Sequence, residues 1–123
     1  MNAESRPKVQ SASTLAGYRV RNEQNDDLGT IEELMIDSSS GRVAYAVLSL
    51  GGFLGSDDKL LAVPWSLLSL HDGEAAFVLN ADLRTLENAP ALDSEQWPDF
   101  ADERWGTELH AHYGRQPYWV FSN

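Results

Sequence analysis

Histidines, carboxylates, serines and one glycine-rich run are the groups in this chain able to take part in chemistry, and their spacing limits what each can do. His110 and His112 stand two apart in a segment read as helical, so their rings point to different sides; two ligands on one helical face would be three or four apart. His71 sits in the turn His71-Asp-Gly73 with no second histidine near it in the sequence. The chain has no cysteine, which excludes disulfides, thiolate chemistry and sulfur ligands. The acidic pairs Asp26-Asp27, Glu32-Glu33 and Asp57-Asp58 lack the alternating carboxylates and central glycine of a calcium loop and read as solvated turn or edge residues. Gly51-Gly-Phe-Leu-Gly55 is not followed by a helix carrying a Lys-Ser or Lys-Thr pair, so it reads as a loop or strand bend and not as a phosphate cradle. No Gly-x-Ser-x-Gly occurs, which leaves the serines without a nucleophile elbow. Asp57 or Asp58 beside Lys59 reads as a surface ion pair worth ~0–1 kcal/mol. The expectation is a protein with no catalytic set, no cofactor and no metal site.

Bulk properties narrow the partners. A chain of 123 residues with 42% apolar content suits one domain. Nineteen acidic against nine basic side chains give a formal charge of −10, which repels polyphosphate and anionic headgroups. No basic stripe offsets it, so direct nucleic-acid binding is not expected. Residues 1–14 are polar, with Arg6 and Lys8 but no apolar core of a signal peptide, and read as a flexible lead-in. The longest greasy stretch, 43–55, is interrupted by Ser49 and glycines, whereas a spanning helix needs ~20 apolar residues. A cytoplasmic protein with no membrane-spanning segment is expected.

The elements that would hold these residues change character near residue 80. Up to that point short β-rich runs alternate with turns: 18–22, 28–37, 42–50, 59–63 and 75–79 read as strands. In the second, Ile31 is followed by Leu34 and Ile36, and a three-residue step between inward positions implies a bulge near Glu32-Glu33. Run 42–50 is apolar on both faces. Five or six such strands suit a small antiparallel sheet closing on itself, with Ile31, Ile36, Val43, Tyr45, Val47 and Val63 buried. Residues 81–123 follow helical spacing. Leu83 and Leu86 mark a short piece ending before Pro90. Ala101, Trp105, Leu109 and Tyr113 then recur every four positions between Asp99 as N-cap and Gly114 as C-terminal cap, which predicts a helix over 100–113. Gly106 weakens that helix by ~1 kcal/mol relative to alanine, so packing has to hold it.

The combination resembles one family. Leu28-Gly-Thr-Ile31, Ile36-Asp37 and Ser40-Gly-Arg-Val-Ala-Tyr-Ala-Val-Leu48 look like the opening half of the PRC barrel. Gly51-Gly-Phe-Leu-Gly55 and the stretch 59–65 look like its central signature. Ala89-Pro90, Trp97-Pro-Asp99, Trp105, Tyr113-Gly114 and Pro117-Tyr-Trp119 resemble the C-terminal extension of a soluble, stand-alone bacterial subgroup. The family is named for the cytoplasmic barrel of the photosynthetic reaction-centre H subunit and is related to the C-terminal barrel of a ribosome maturation factor. The resemblance implies a mainly β fold, a PRC-type barrel over 15–80 with a helical, aromatic-rich extension over 81–123.

Function follows by implication and exclusion: a non-catalytic protein-interaction or assembly module, its protein partner unnamed by the sequence, and a homodimer. The rival reading is an accessory subunit of an electron- or proton-transfer complex, in which surface carboxylates relay protons. Seven of the 12 aromatic residues lie in the last 27 positions, too many for a free tail. The extension therefore wraps its own barrel or crosses to a second copy. Phe53, Leu54, Trp105, Tyr118 and Trp119 are the candidate interaction surface.

Overall fold

The computed structural model describes residues 8–51 and 59–120. Phe53 and Leu54 lie outside them. Ser11 caps a single helical turn, α1 (Ala12–Leu15), at the end of the segment read as a lead-in. Six strands follow: β1 (Arg19–Asn22), β2 (Asp27–Asp37), β3 (Arg42–Leu50), β4 (Lys59–Pro64), β5 (Leu68–His71) and β6 (Ala76–Leu79). They form one sheet in the order β4-β3-β2-β1-β6-β5.

Chain direction explains how this sheet curls. Every neighbouring pair is antiparallel except β1 and β6, which run parallel with Val20 opposite Phe77. Strands β4 and β5 consequently point the same way, although they occupy opposite ends of the ladder. Only the 3-10 turn Trp65–Leu67 separates them. Pro64 has no N–H with which to continue a ladder, so one strand direction is broken there and handed from one edge of the sheet to the other. The parallel pair thus needs no crossover helix, because the rest of the barrel is its connection. Strand β5 was not distinguished in the sequence, where the break at Pro64 reads as an end.

Bulges supply the bend. Pairing of β2 with β3 slips between Ile31 and Glu33, where the spacing of apolar residues placed a bulge, and slips again between Met35 and Ile36. The second slip reverses the faces beyond it. Ile36, expected inside, is therefore 50% exposed, and Val43 opposite it is only half-buried. Ile31, Tyr45, Val47 and Val63 are buried as expected. Gly29 sits at φ +152°, and any side chain there would collide with the Ser49 carbonyl across the β2–β3 pair, so only glycine permits that approach.

The barrel core gathers Val20, Leu28, Ile31, Leu48, Leu50, Leu61, Val63, Phe77 and Leu79, and adds Leu86 and Ala89 from beyond the last strand. Leu86 comes from α2 (Leu83–Glu87), whose N-cap Asp82 accepts the Thr85 N–H at 2.8 Å. A second cluster forms on the other face of β3 and β4, where Ala44, Tyr45 and Ala62 meet Leu109 of α3 (Glu103–His112). Burial of β3 on both faces follows from this second layer.

Helix α3 starts one turn later than its spacing suggests. Asp99 spends its carboxylate on the Ala101 N–H at 3.0 Å, closing a turn, and the N-cap is Asp102, which accepts from Arg104 at 2.9 Å. The C-terminal end agrees with the sequence. Gly114 lies at φ +69°, its N–H donates to the Ala111 carbonyl, and the Arg115 N–H donates to the His110 carbonyl. These two bonds make a Schellman cap.

Candidate functional site

Tyr45, projecting from β3 and 1% exposed, is the centre on which the extension assembles. Phe100, Trp105, His110 and Tyr118 all pack on its ring, with centroids 6.1, 5.3, 5.5 and 5.9 Å away. Trp105 and Tyr118 meet it edge to face, the geometry that aligns a ring's positive edge with its neighbour's negative face. Trp119 closes the group against His110 at 5.7 Å and Tyr118 at 5.1 Å.

Gly106 explains why α3 can lie so close. A Cβ there would stand 2.5 Å from the Tyr45 hydroxyl and 2.8 Å from the Trp119 ring. The glycine that weakens the helix locally is what admits these two aromatic side chains to its surface. His110, one turn on and 1% exposed, directs Nδ1 to the Gly106 carbonyl at 2.7 Å. A carbonyl only accepts, so Nδ1 carries the proton, and the neutral ring is left with Nε2 as an acceptor. Burial holds the pKa of His110 below its ordinary value. Nε2, the Tyr45 hydroxyl and the Tyr113 hydroxyl are buried with no hydrogen-bond partner.

A polar tether joins the C-terminal 3-10 turn (Tyr118–Val120) to the end of β2. The Tyr118 hydroxyl donates to Asp37 at 2.7 Å, and the Ser39 hydroxyl donates to the same carboxylate at 2.6 Å. Ser39, then Tyr118, hold Asp37 down to about 2; burial first, then the Asp37 carboxylate, push Tyr118 up to about 12. Neither group exchanges a proton near neutrality, so the pair is a fixed hydrogen bond and not an acid–base couple. The Arg42 guanidinium lies 5.6 Å from the centre of the Tyr118 ring, a cation–π contact.

Two clefts flank Tyr118. One of about 500 Å³ is lined by Ile36, Asp37, Tyr45, Phe100, Tyr118 and Trp119; the other, about 320 Å³, lies between Arg42, Trp65 and His110. Of the residues singled out from the sequence, Trp105, Tyr118 and Trp119 are brought together, each half-buried against the barrel's own Tyr45 layer. Sequence reasoning missed Tyr45 as their common anchor, and with it Asp37 and Arg42. The two-sided apolar pattern of β3 and the glycine inside α3 were the available signals. His110 and His112 do diverge: His112 Nε2 lies 2.9 Å from the Thr85 carbonyl of α2, and His71 lies 3.6 Å from Glu74. Among the described residues no group of three or more histidines and carboxylates could hold a metal ion, and no helix is long and apolar enough to cross a membrane.

Comparison with known proteins is consistent with this architecture. No curated protein matches the sequence. A crystal structure of a protein described as a 16S ribosomal RNA processing protein, RimM, from Pseudomonas aeruginosa aligns at 20% identity and a TM-score of 0.43, covering 67% of this chain. The chain spans about half of that protein, 49% of its length. The model of the PRC-barrel domain matches residues 7–84, which include all six strands and the first residues of α2. Over that span, well above half its length, the chain belongs to the PRC-barrel domain family.

Proposed function

We propose that this protein is a non-catalytic protein-interaction or assembly module that works in the cytoplasm and forms a homodimer through its C-terminal aromatic surface. The observation that carries the reading is an apolar patch at the 500 Å³ cleft. Ile36, turned outwards by the second bulge, lies with Tyr118 and Trp119 along that cleft, and Val120, next in the chain after Trp119, is 55% exposed. A half-open aromatic group rimmed by exposed aliphatic side chains is the composition of an interface core.

Charge sets the character of the contact. Each chain carries a formal −10, so two copies repel at long range and contact has to come from apolar burial. Trp119, Tyr118 and Ile36 together hold a few kcal/mol of transferable surface at ~25 cal/mol/Å². The neutral-pH fixity of the Asp37–Tyr118 pair supports binding over proton handling. Concentration-dependent hydrogen exchange tests the surface: amides of 36–39 and 115–120 gain protection as the protein is concentrated, while those of β5 and β6 do not. Uniform protection with no change at those segments would refute the assignment.

A further inference from the structure

We infer that a separate cleft, between the 90–98 connection and α3, is a docking groove for a basic, proline-rich peptide segment of another protein. The cleft is about 360 Å³. Two of its lining residues, Ala62 of β4 and Leu109 of α3, are buried, and the others include Leu92, Trp97, Pro98 and Trp105. It shares no lining residue with the 500 Å³ cleft, so it stands apart from the surface proposed for self-association.

Backbone bonds and ring packing hold the groove in shape. The Leu92 N–H donates to the Leu60 carbonyl of β4 at 2.8 Å, and the Gln96 N–H donates to the Asp93 carbonyl at 3.1 Å, closing a tight turn before Trp97. Phe100 joins the two indoles, with Trp97 5.7 Å and Trp105 4.9 Å from its ring. A groove fixed in this way loses little freedom when it is filled.

Chemistry selects the occupant. A strand cannot add beside Ala62, because Leu92 already takes the Leu60 carbonyl and β4 ends at Pro64, which has no N–H. Residues 88–103 hold five carboxylates, Asp93, Glu95, Asp99, Asp102 and Glu103, and no basic side chain. None of the five is in an ion pair among the described residues. A second copy would bring the same charges to this face, whereas an Arg- or Lys-bearing segment complements them. Trp97 and Trp105 are half-buried, and neither indole N–H makes a hydrogen bond among the described residues. Free donors and flat aromatic walls suit a polyproline II segment. Its carbonyls are free to accept, its rings supply apolar surface, and it has few N–H groups to be satisfied in return.

The probe is a blocked peptide of four Arg-Pro-Pro repeats, titrated into the full chain and followed by NMR at the indole N–H of Trp97 and Trp105 and the amides of 92–97. Saturable shifts with a Kd below about 1 mM are expected. Arg-Gly-Gly repeats keep the charge without the preformed conformation, and Glu-Pro-Pro repeats keep the conformation with the charge reversed; each binds about tenfold more weakly. Trp97→Ala weakens the Arg-Pro-Pro peptide about tenfold. Asp93→Asn, which retains an acceptor for the Glu95 N–H and so preserves the turn, weakens it about threefold. Shifts that stay linear, equal affinity for the Arg-Gly-Gly peptide, or full affinity in both variants would overturn the groove. Shifts of the same groups on concentrating the protein alone would make a second copy the occupant and overturn it as well.

Discussion

At the scale of single residues, Tyr45 and Gly106 invert the usual expectation for a buried hydrogen-bonding group and a mid-helix glycine. The Tyr45 hydroxyl is buried and unpartnered, so Tyr45→Phe should keep every ring contact and raise stability by about 1 kcal/mol in chemical denaturation. Gly106→Ala should do the reverse. Alanine gains ~1 kcal/mol of helix propensity, but its Cβ meets the Tyr45 hydroxyl and Trp119, and overpacking of this kind costs about 1–3 kcal/mol. The net loss should shrink in a Tyr45→Phe background, which removes the nearer clash; equal losses in the two backgrounds would contradict the packing described. His110 gives a pH signature. Its folded pKa is lowered, chiefly by burial, so the unfolded chain takes up a proton below about 6.5 that the folded chain refuses, and this contribution to stability is complete above that pH and declines below it. The Gly106 carbonyl opposes the shift without reversing it, while Tyr45 and Tyr118 face the ring as neutral phenols. An imidazole titration by NMR should place His110 below the ordinary 6.5, and a value at or above it would be inconsistent with its burial.

Elements show where the sequence was legible and where it was not. Strand boundaries were readable because turns are written in Gly, Asn, Asp and Ser: Asn22, buried, accepts the Gln24 and Asp26 N–H groups, and Asn25 at φ +69° completes the β1–β2 turn. The bulge at Glu32-Glu33 was readable because it breaks a period of two. The bulge at Met35/Ile36 was not, since it falls at the last residues of β2, with no further apolar position to reveal the change of phase. Asp99 and Asp102 are both sound N-caps, and only the turn that Asp99 closes on Ala101 decides between them. The anchoring of α3 on Tyr45 was hidden for a different reason: contacts between residues 45 and 118 are set by the fold and leave no local spacing in either segment. Removing residues 90–123 should uncover Tyr45, Ala44 and Ala62 while leaving Leu86 and Ala89 in the barrel core. A lower Tm and exposed apolar surface, measured by thermal scanning and dye binding, are expected of the truncated chain. Unchanged Tm and solubility would show that the second layer contributes nothing to the barrel.

For the molecule as a whole, the design is a barrel whose two ladder ends are joined through Pro64 and whose outer face carries an aromatic second layer. That layer buries one face of β3 and leaves clefts on both sides of Tyr118, the larger with Ile36 on its rim. This larger cleft is the surface proposed for self-association. Sedimentation velocity of the intact chain across micromolar concentrations tests it most directly, together with Ile36→Lys, which removes apolar surface while lowering the net negative charge. A dimer is expected for the intact chain and a folded monomer for Ile36→Lys, despite the weaker charge repulsion of the variant. An intact chain that sediments as a monomer throughout, or a variant that dimerises as well as the parent, would contradict it.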